Sequence, residues 1–195
     1  MELFPVLEIG LYNGWILFAI LVATEGLMFL FYPRNVTSRL TDFDRSKWST
    51  GQRISFAIGK TFSLVCIIFF VLTPLKLSTI NFGLGVVIFA IGLTALIASV
   101  HTFGKAPLEQ PVTTGPYRFS RHPQQVSLFT LFTGISIAIG SWIAFLVLIL
   151  SRILNSAGDR AEEKECLEYY GDSYKEYMEK VPRYLLFRRK AKESI

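Results

Sequence analysis

The stretch VSLFTLFTGISIAIGSWIAFLVLILS, residues 126 to 151, contains no charged residue. At about 1.5 Å of rise per residue, a single helix of this length is longer than a hydrocarbon core requires, so it would have to tilt. The alternative is two short helical arms that fold back on each other at Gly140-Ser141-Trp142. The two interpretations place the rest of the chain on opposite sides of a membrane, and the surrounding charge decides between them.

Three further apolar runs, at residues 11–32, 54–75 and 80–100, are each long enough to cross a bilayer. Lysine and arginine are concentrated in residues 33–53, in residues 101–123 and after residue 151. By the positive-inside rule these parts are cytoplasmic and the N-terminus is outside, which requires the hairpin. We predict an all-α, polytopic membrane protein with five transmembrane segments, the last two a short helical hairpin, followed by C-terminal cytoplasmic helices.

The composition supports a single membrane-embedded domain over residues 1–195. Apolar residues make up 51% of the chain, and 17 residues are phenylalanine, which is too apolar for a soluble domain of this size. The net charge of +5 is spread along the chain, so it fits contact with anionic lipid headgroups and not nucleic-acid binding. The spacing of Cys66 and Cys166 predicts neither a disulfide framework nor a metal site. The first ten residues lack the positive region of a cleavable signal, so we expect the first run to be retained.

The loop over residues 101–123 contains four of the eight prolines, which favour a non-helical and functional connection. After the hairpin, residues 161–170 are typical of a helix that ends at Gly171. The sequence Ser173-Tyr174-Lys175-Glu176 resembles a capping box that opens a second helix. Both helices are expected to lie against the cytoplasmic face, because their apolar residues follow helical spacing.

Folding of the hairpin brings two sets of chemically active side chains to one cytoplasmic rim. The sets are Tyr117, Arg118, Arg121 and His122 before the hairpin, and Arg160, Glu162 and Glu163 after it. Together they form a pocket with both signs of charge and an aromatic ring, next to the lipid. Such a pocket suits a zwitterionic cofactor beside a lipophilic substrate.

Several short motifs over residues 112–183 together resemble the C-terminal signature of the isoprenylcysteine carboxyl methyltransferase family, a group that includes phospholipid N-methyltransferases. The motifs are Gly115-Pro116-Tyr117, Arg121-His122-Pro123, Glu162-Glu163, YGDSYKEY at 170–177, and Val181-Pro182-Arg183. The resemblance implies a membrane methyltransferase that uses S-adenosyl-L-methionine, bound by residues 101–183. The implied acceptor is lipophilic, either an isoprenylcysteine carboxylate or a phospholipid amine.

The resemblance also implies roles for individual residues. The implied cofactor contacts are Glu109, Gln110, Pro111, Val112, Tyr117, Arg121, His122, Pro123, Gln124, Gln125 and Glu162. Either Arg121 or His122 would pair with the cofactor carboxylate, and the Tyr117 ring would face the sulfonium. Glu162 would accept hydrogen bonds from amino or ribose groups. The catalytic candidates are Glu163, Arg160 and His122, with Glu163 or His122 as the base for an amine acceptor.

The chain departs from the family pattern at two positions. Gln125 stands where the family usually has a tyrosine, and Gly158 stands where the prenylcysteine enzymes have an arginine for the substrate carboxylate. Arg160 and Arg152 are the nearest replacements for that arginine. The two departures leave a non-catalytic membrane scaffold open. The Arg-His-Pro and Tyr-Gly pattern also resembles that of the NADPH-dependent membrane reductases of the sterol type, which is a second alternative.

Two ionisable residues lie within the apolar runs. Glu25 is in the first run and Lys60 in the second. An ionisable residue within the membrane is often functional, but an ion pair between these two is an equally economical explanation. The sequence leaves both explanations open.

Overall fold

The structure is a computed structural model that describes residues 1–32 and 45–185. In these parts the chain forms six α-helices and no β-strand. The helices are α1 Trp15–Phe31, α2 Thr50–Leu72, α3 Ile80–Lys105, α4 Pro123–Ala138, α5 Trp142–Tyr170 and α6 Asp172–Lys180, with a short 3-10 helix at Gly115–Arg118. Helices α2, α3 and α5 are long and apolar enough to cross a membrane. The predicted all-α, polytopic membrane class is therefore confirmed.

The uncharged run divides at the predicted place, between α4 and α5. Gly140 has φ +67°, a backbone conformation that glycine adopts without strain. Ser141 caps α5, because its hydroxyl accepts a hydrogen bond of 3.2 Å from the Ala144 amide. The main chain of Glu2 also bonds to both sides of this turn. The turn is thus fixed by local residues and by the N-terminal segment.

Two details of the predicted C-terminal part are wrong. Residues 161–170 do not form a separate helix, because α5 continues without interruption to Tyr170. The second arm of the hairpin is therefore long and not short as predicted. The change from apolar to charged residues after Ser151 marks a change of surroundings, and no proline breaks the helix there. The predicted capping box is also absent, since Gly171 precedes α6 and the Ser173 hydroxyl bonds back to the Tyr170 carbonyl at 2.9 Å.

The helices pack as two pairs held by different contacts. Helices α3 and α4 approach at glycines, and a Cβ atom added to Gly92 would lie 2.5 Å from the Leu131 amide nitrogen. Helices α2 and α5 are joined by side-chain hydrogen bonds. The Ser63 and Ser151 hydroxyls are 2.7 Å apart, and the Ser55 hydroxyl donates to the Leu154 carbonyl at 3.0 Å. A cavity lies between the two pairs and α1.

One end of the bundle, which we call the His122 end, gathers the end of α1 and the starts of α2 and α4. There the Tyr32 hydroxyl lies 2.9 Å from His101 Nδ1, and Lys47 bonds to Glu168 at 2.6 Å. At the opposite end the Asn13 side chain donates to the Val71 carbonyl at 3.1 Å. Depth along any helix can therefore be counted from the His122 end.

Candidate active site

The buried carboxylate of Glu163, on α5, is the centre of a charged cluster. The guanidinium of Arg121 lies 3.0 Å from its Oε1. Arg183 donates two hydrogen bonds, of 2.9 Å to Oε1 and 2.5 Å to Oε2. Burial of a carboxylate is tolerated only with such partners. The hydrogen bonds to Glu163 in turn raise the pKa of the Arg183 guanidinium above its ordinary value.

This cluster joins three parts of the chain that are distant in sequence. The Arg121 amide donates to the Pro182 carbonyl at 3.0 Å, and the Ser120 hydroxyl donates to the Arg183 carbonyl at 2.8 Å. From α6, the Tyr177 hydroxyl donates to the Tyr117 carbonyl at 2.7 Å. Burial raises the pKa of Tyr177, which keeps this donor protonated. The segment after α6 is thus fastened to the loop before α4.

The imidazole of His122 lies between two acids with different surroundings. Its Nε2 is 3.3 Å from Oε1 of Glu163, and its Nδ1 is 3.6 Å from Oε2 of Glu162. The side chain of Glu163 is 4% exposed, whereas that of Glu162 is 45% exposed. Although adjacent in sequence, the two acids therefore differ in accessibility, and His122 connects the accessible one to the buried cluster.

Beside the cluster lies a cavity of about 420 Å³, lined by one face of each of the helices α1 to α5. Near the His122 end its wall carries the polar side chains of Gln124, Gln125 and Glu162. Farther from that end the wall is apolar and includes Ile67, Phe132 and Leu148. The cavity therefore joins a polar end to a hydrocarbon-lined end.

The predicted site residues fall into three groups. Gln124, Gln125 and Glu162 lie on the cavity wall. Tyr117, Arg121, His122, Pro123 and Glu163 lie behind that wall, with side chains buried or nearly so. Glu109, Gln110, Pro111, Val112 and Arg160 lie away from the cavity, in the loop after α3 and on the exposed side of α5.

Two of these residues, Tyr117 and Arg160, bond to other side chains and do not line the cavity. The Tyr117 hydroxyl accepts a hydrogen bond of 3.0 Å from the Gln124 side-chain amide, which orients that amide. Arg160 donates to the Ser156 hydroxyl at 3.0 Å, within its own helix, and is exposed. Tyr117 thus supports the cavity wall, whereas Arg160 points to the outside.

A second polar group lies on the wall, of which the sequence analysis named Arg152 but missed the partners Asp159 and Tyr184. The Arg152 guanidinium donates to the Asp159 carboxylate and, at 2.6 Å, to the Tyr184 hydroxyl, which itself bonds to Asp159. Arg152 and Asp159 line the cavity and are seven residues apart on α5, so they share the helix face of Glu162. The spacing of seven residues could have predicted that Arg152 and Asp159 share a face, whereas nothing in the local sequence predicts the contact with Tyr184.

The position where the prenylcysteine enzymes carry an arginine is filled by aromatic rings in this chain. A Cβ atom added to Gly158 would lie 3.1 Å from the Phe56 ring and 3.4 Å from the Trp48 ring. Of the two possible replacements, Arg152 lies on the cavity wall and Arg160 does not. Both Glu25 and Lys60 also line the cavity, and among the described residues neither forms an ion pair.

The helical fold with long apolar helices, and the charged cluster beside a half-apolar cavity, define a class, the polytopic membrane proteins with a polar site next to the lipid. Comparison with known proteins makes the assignment specific. The model of the phospholipid methyltransferase family matches residues 76–173, just over half of the chain. The chain belongs to the phospholipid methyltransferase family, as its motifs indicated.

A curated relative is similar over a shorter stretch. Protein-S-isoprenylcysteine O-methyltransferase of Schizosaccharomyces pombe is 34% identical over 73 residues, which are 36% of this chain. The match covers 30% of the length of that relative. Both comparisons favour a methyltransferase over the NADPH-dependent reductase that the sequence left open.

Proposed function

We propose that the protein transfers a methyl group from S-adenosylmethionine to a lipophilic acceptor inside the cavity, at the cytoplasmic face of a membrane. The observation that carries this proposal is the position of Glu162. Its carboxylate stands on the polar part of a cavity that continues between apolar helices. A polar cofactor and a lipophilic acceptor can therefore meet in one compartment.

The proposed topology has five transmembrane segments, α1 to α5, with the His122 end in the cytoplasm. The positive-inside rule supports this orientation, since the described basic residues of the loops before α2 and after α3 lie at that end. Helix α4 has 16 residues and is about 24 Å long, somewhat less than a hydrocarbon core. Its short length leaves the polar residues at its start, Gln124 and Gln125, near the bilayer surface.

The residues on the polar wall fit S-adenosylmethionine. The Glu162 carboxylate can accept hydrogen bonds from an amino group or ribose hydroxyls. The side-chain amides of Gln124 and Gln125 offer both donors and acceptors beside it. We assign these three residues to the cofactor, with Tyr117 orienting Gln124 and His122 orienting Glu162.

When bound, S-adenosylmethionine supplies an electrophilic methyl group on a sulfonium. The chain contributes alignment, because the apolar wall and the polar wall fix the positions of acceptor and donor. Glu163 is a positioning residue, since both of its oxygens are engaged by arginines. For an amine acceptor, the accessible carboxylate of Glu162, beside His122, is the group placed to receive the departing proton.

The test is equilibrium binding of S-adenosylmethionine, and separately of NADPH, to the detergent-solubilised full chain. Glu162→Gln should weaken S-adenosylmethionine binding about tenfold, because a hydrogen bond to a charged group is lost. Glu165→Gln, one turn away and off the cavity wall, is the matched control and should bind normally. Binding of NADPH alone would contradict the proposal, and binding of neither would favour a scaffold. Transfer of labelled methyl from S-adenosylmethionine to a membrane lipid fraction would complete the test.

A further inference from the structure

Residues 45–49, which immediately precede α2 and which we call the strap, separate two volumes. Trp48 lines the cavity, whereas its neighbour Lys47 lines a second depression of about 640 Å³, which we call the outer groove. Leu108 and Tyr169, which are exposed, also line the outer groove. The strap is therefore a layer between an exposed groove and the cavity.

The attachment of the strap to α2 differs from its attachment to α5. On α2, the Arg53 guanidinium donates hydrogen bonds to three main-chain carbonyls of the strap, those of Arg45 at 2.9 Å, Ser46 at 3.0 Å and Trp48 at 3.2 Å. On α5, the Glu168 carboxylate accepts a hydrogen bond of 2.6 Å from Lys47, and these two side chains are 44% and 58% exposed. An exposed ion pair contributes little free energy. The strap is thus anchored firmly to α2 and held to α5 by a pair that breaks easily.

The ring of Trp48 fills the space between α2 and α5. It packs edge-on against the Phe56 ring of α2, with 5.1 Å between the ring centroids. On the other side, a Cβ atom added to Gly158 of α5 would lie 3.4 Å from the indole. Glu162, the proposed cofactor ligand, follows Gly158 by one helical turn. The indole therefore lies beside the polar end of the cavity.

The indole nitrogen of Trp48 indicates that the closed position of the strap is not fully satisfied. The residue is 6% exposed, and its Nε1 is buried without a hydrogen bond to any residue that the structure describes. A buried donor without an acceptor destabilises the position that buries it. Movement of the ring toward water gives this donor a partner, so the strap is poised to move.

Resting on the proposed function, we propose that the strap is a gate between the outer groove and the cofactor end of the cavity, with the Lys47–Glu168 pair as its latch. When the latch opens, the strap pivots about Arg53 and the two volumes join. Glu168 is six residues beyond Glu162 on α5, about 9 Å nearer to the His122 end, so the path from the groove to Glu162 leads past Trp48. The closed strap keeps water out of the cavity, as lids of other enzymes do.

The decisive test locks the strap to α5 in the detergent-solubilised full chain. Lys47→Cys and Glu168→Cys, combined with Cys166→Ser, are joined by a bis-maleimide whose spacer contains a disulfide. The association and dissociation of labelled S-adenosylmethionine are then followed in time. Both rates should fall at least about tenfold in the joined protein and recover when a reductant cuts the spacer. Rates that joining leaves unchanged would overturn the gate.

A milder test removes only the latch. Lys47→Gln should raise both rates roughly two- to fivefold, because an exposed ion pair is weak, and should leave the equilibrium affinity unchanged, because a gate acts equally on entry and exit. Lys164→Gln is the matched control, since Lys164 lies 3.9 Å from the same Glu168 carboxylate but belongs to α5. It should leave both rates unchanged. Equal rates in Lys47→Gln and the unmodified chain would contradict the latch.

Equilibrium binding of S-adenosylmethionine to the unmodified chain separates this inference from the proposed function. Absence of binding would overturn both. Normal binding, with rates that locking the strap does not change, would overturn the gate alone. Normal binding with slower exchange in the locked protein supports the gate.

Discussion

Residues 76–173, which match the family model, and the residues before them line the same cavity with different side chains. The matched part contains α3, α4 and α5 and supplies Glu162 and the two glutamines. The earlier part contains α1 and α2 and supplies Glu25 and Lys60. In the proposed function the family-wide part would hold the cofactor, whereas the earlier part contributes two charges of the remaining wall.

The largest effect on stability is expected at Glu163, in the matched part. Glu163→Ala leaves Arg121 and Arg183 without their common carboxylate, so we expect a loss of about 3–5 kcal/mol of stability. The measurement is the thermal unfolding midpoint in detergent. Glu176→Gln, which removes an exposed pair with Lys180, should have little effect. Equal midpoints for both variants would contradict the central role of the cluster.

A smaller loss is expected at the glycine contact between α3 and α4. Gly92→Ala forces a methyl group against the backbone at Leu131, which should cost about 1–3 kcal/mol. Gly83→Ala is the matched control on the same helix, because no heavy atom lies within 4 Å of the added carbon. The control should be neutral or slightly stabilising, since alanine favours a helix. Similar unfolding midpoints for the two variants would show that close contact between α3 and α4 at Gly92 does not contribute to stability.

The smallest effect is expected where α2 joins the matched part. Ser63→Ala removes the hydroxyl bond between α2 and α5, and we expect a loss of about 0.5–1 kcal/mol. Thr61→Ala removes a hydroxyl that bonds only within α2, to the Ala57 carbonyl. A larger loss in Thr61→Ala than in Ser63→Ala would mean that α2 is held by other contacts.

The hairpin was predictable from sequence because local residues encode it. Gly140 permits the positive φ and Ser141 supplies the cap, and both are visible in the sequence. The continuous α5 was missed because a shift from apolar to charged residues was interpreted as the end of a helix. The composition of a helix indicates whether lipid, protein or water surrounds it, whereas capping and helix-breaking residues indicate where it ends.

The candidate site was predictable as a set of residues but not in its arrangement. Glu162 and Glu163 are indistinguishable by type, yet neighbours on a helix point about 100° apart, so one faces the cavity and the other the cluster. The bond from Arg152 to Tyr184 joins residues whose proximity depends on how the segment after α6 folds back. Such a contact has no signature in local sequence.

The position of Arg183 in the cluster has a consequence for biosynthesis. This residue follows all six described helices in the chain, so the ribosome makes it after them. The segments therefore enter the bilayer while Glu163 has only Arg121 and His122 as partners. The segment after α6 then adds its hydrogen bonds to Glu163, so the buried cluster is complete only when residues beyond α6 fold back onto α5.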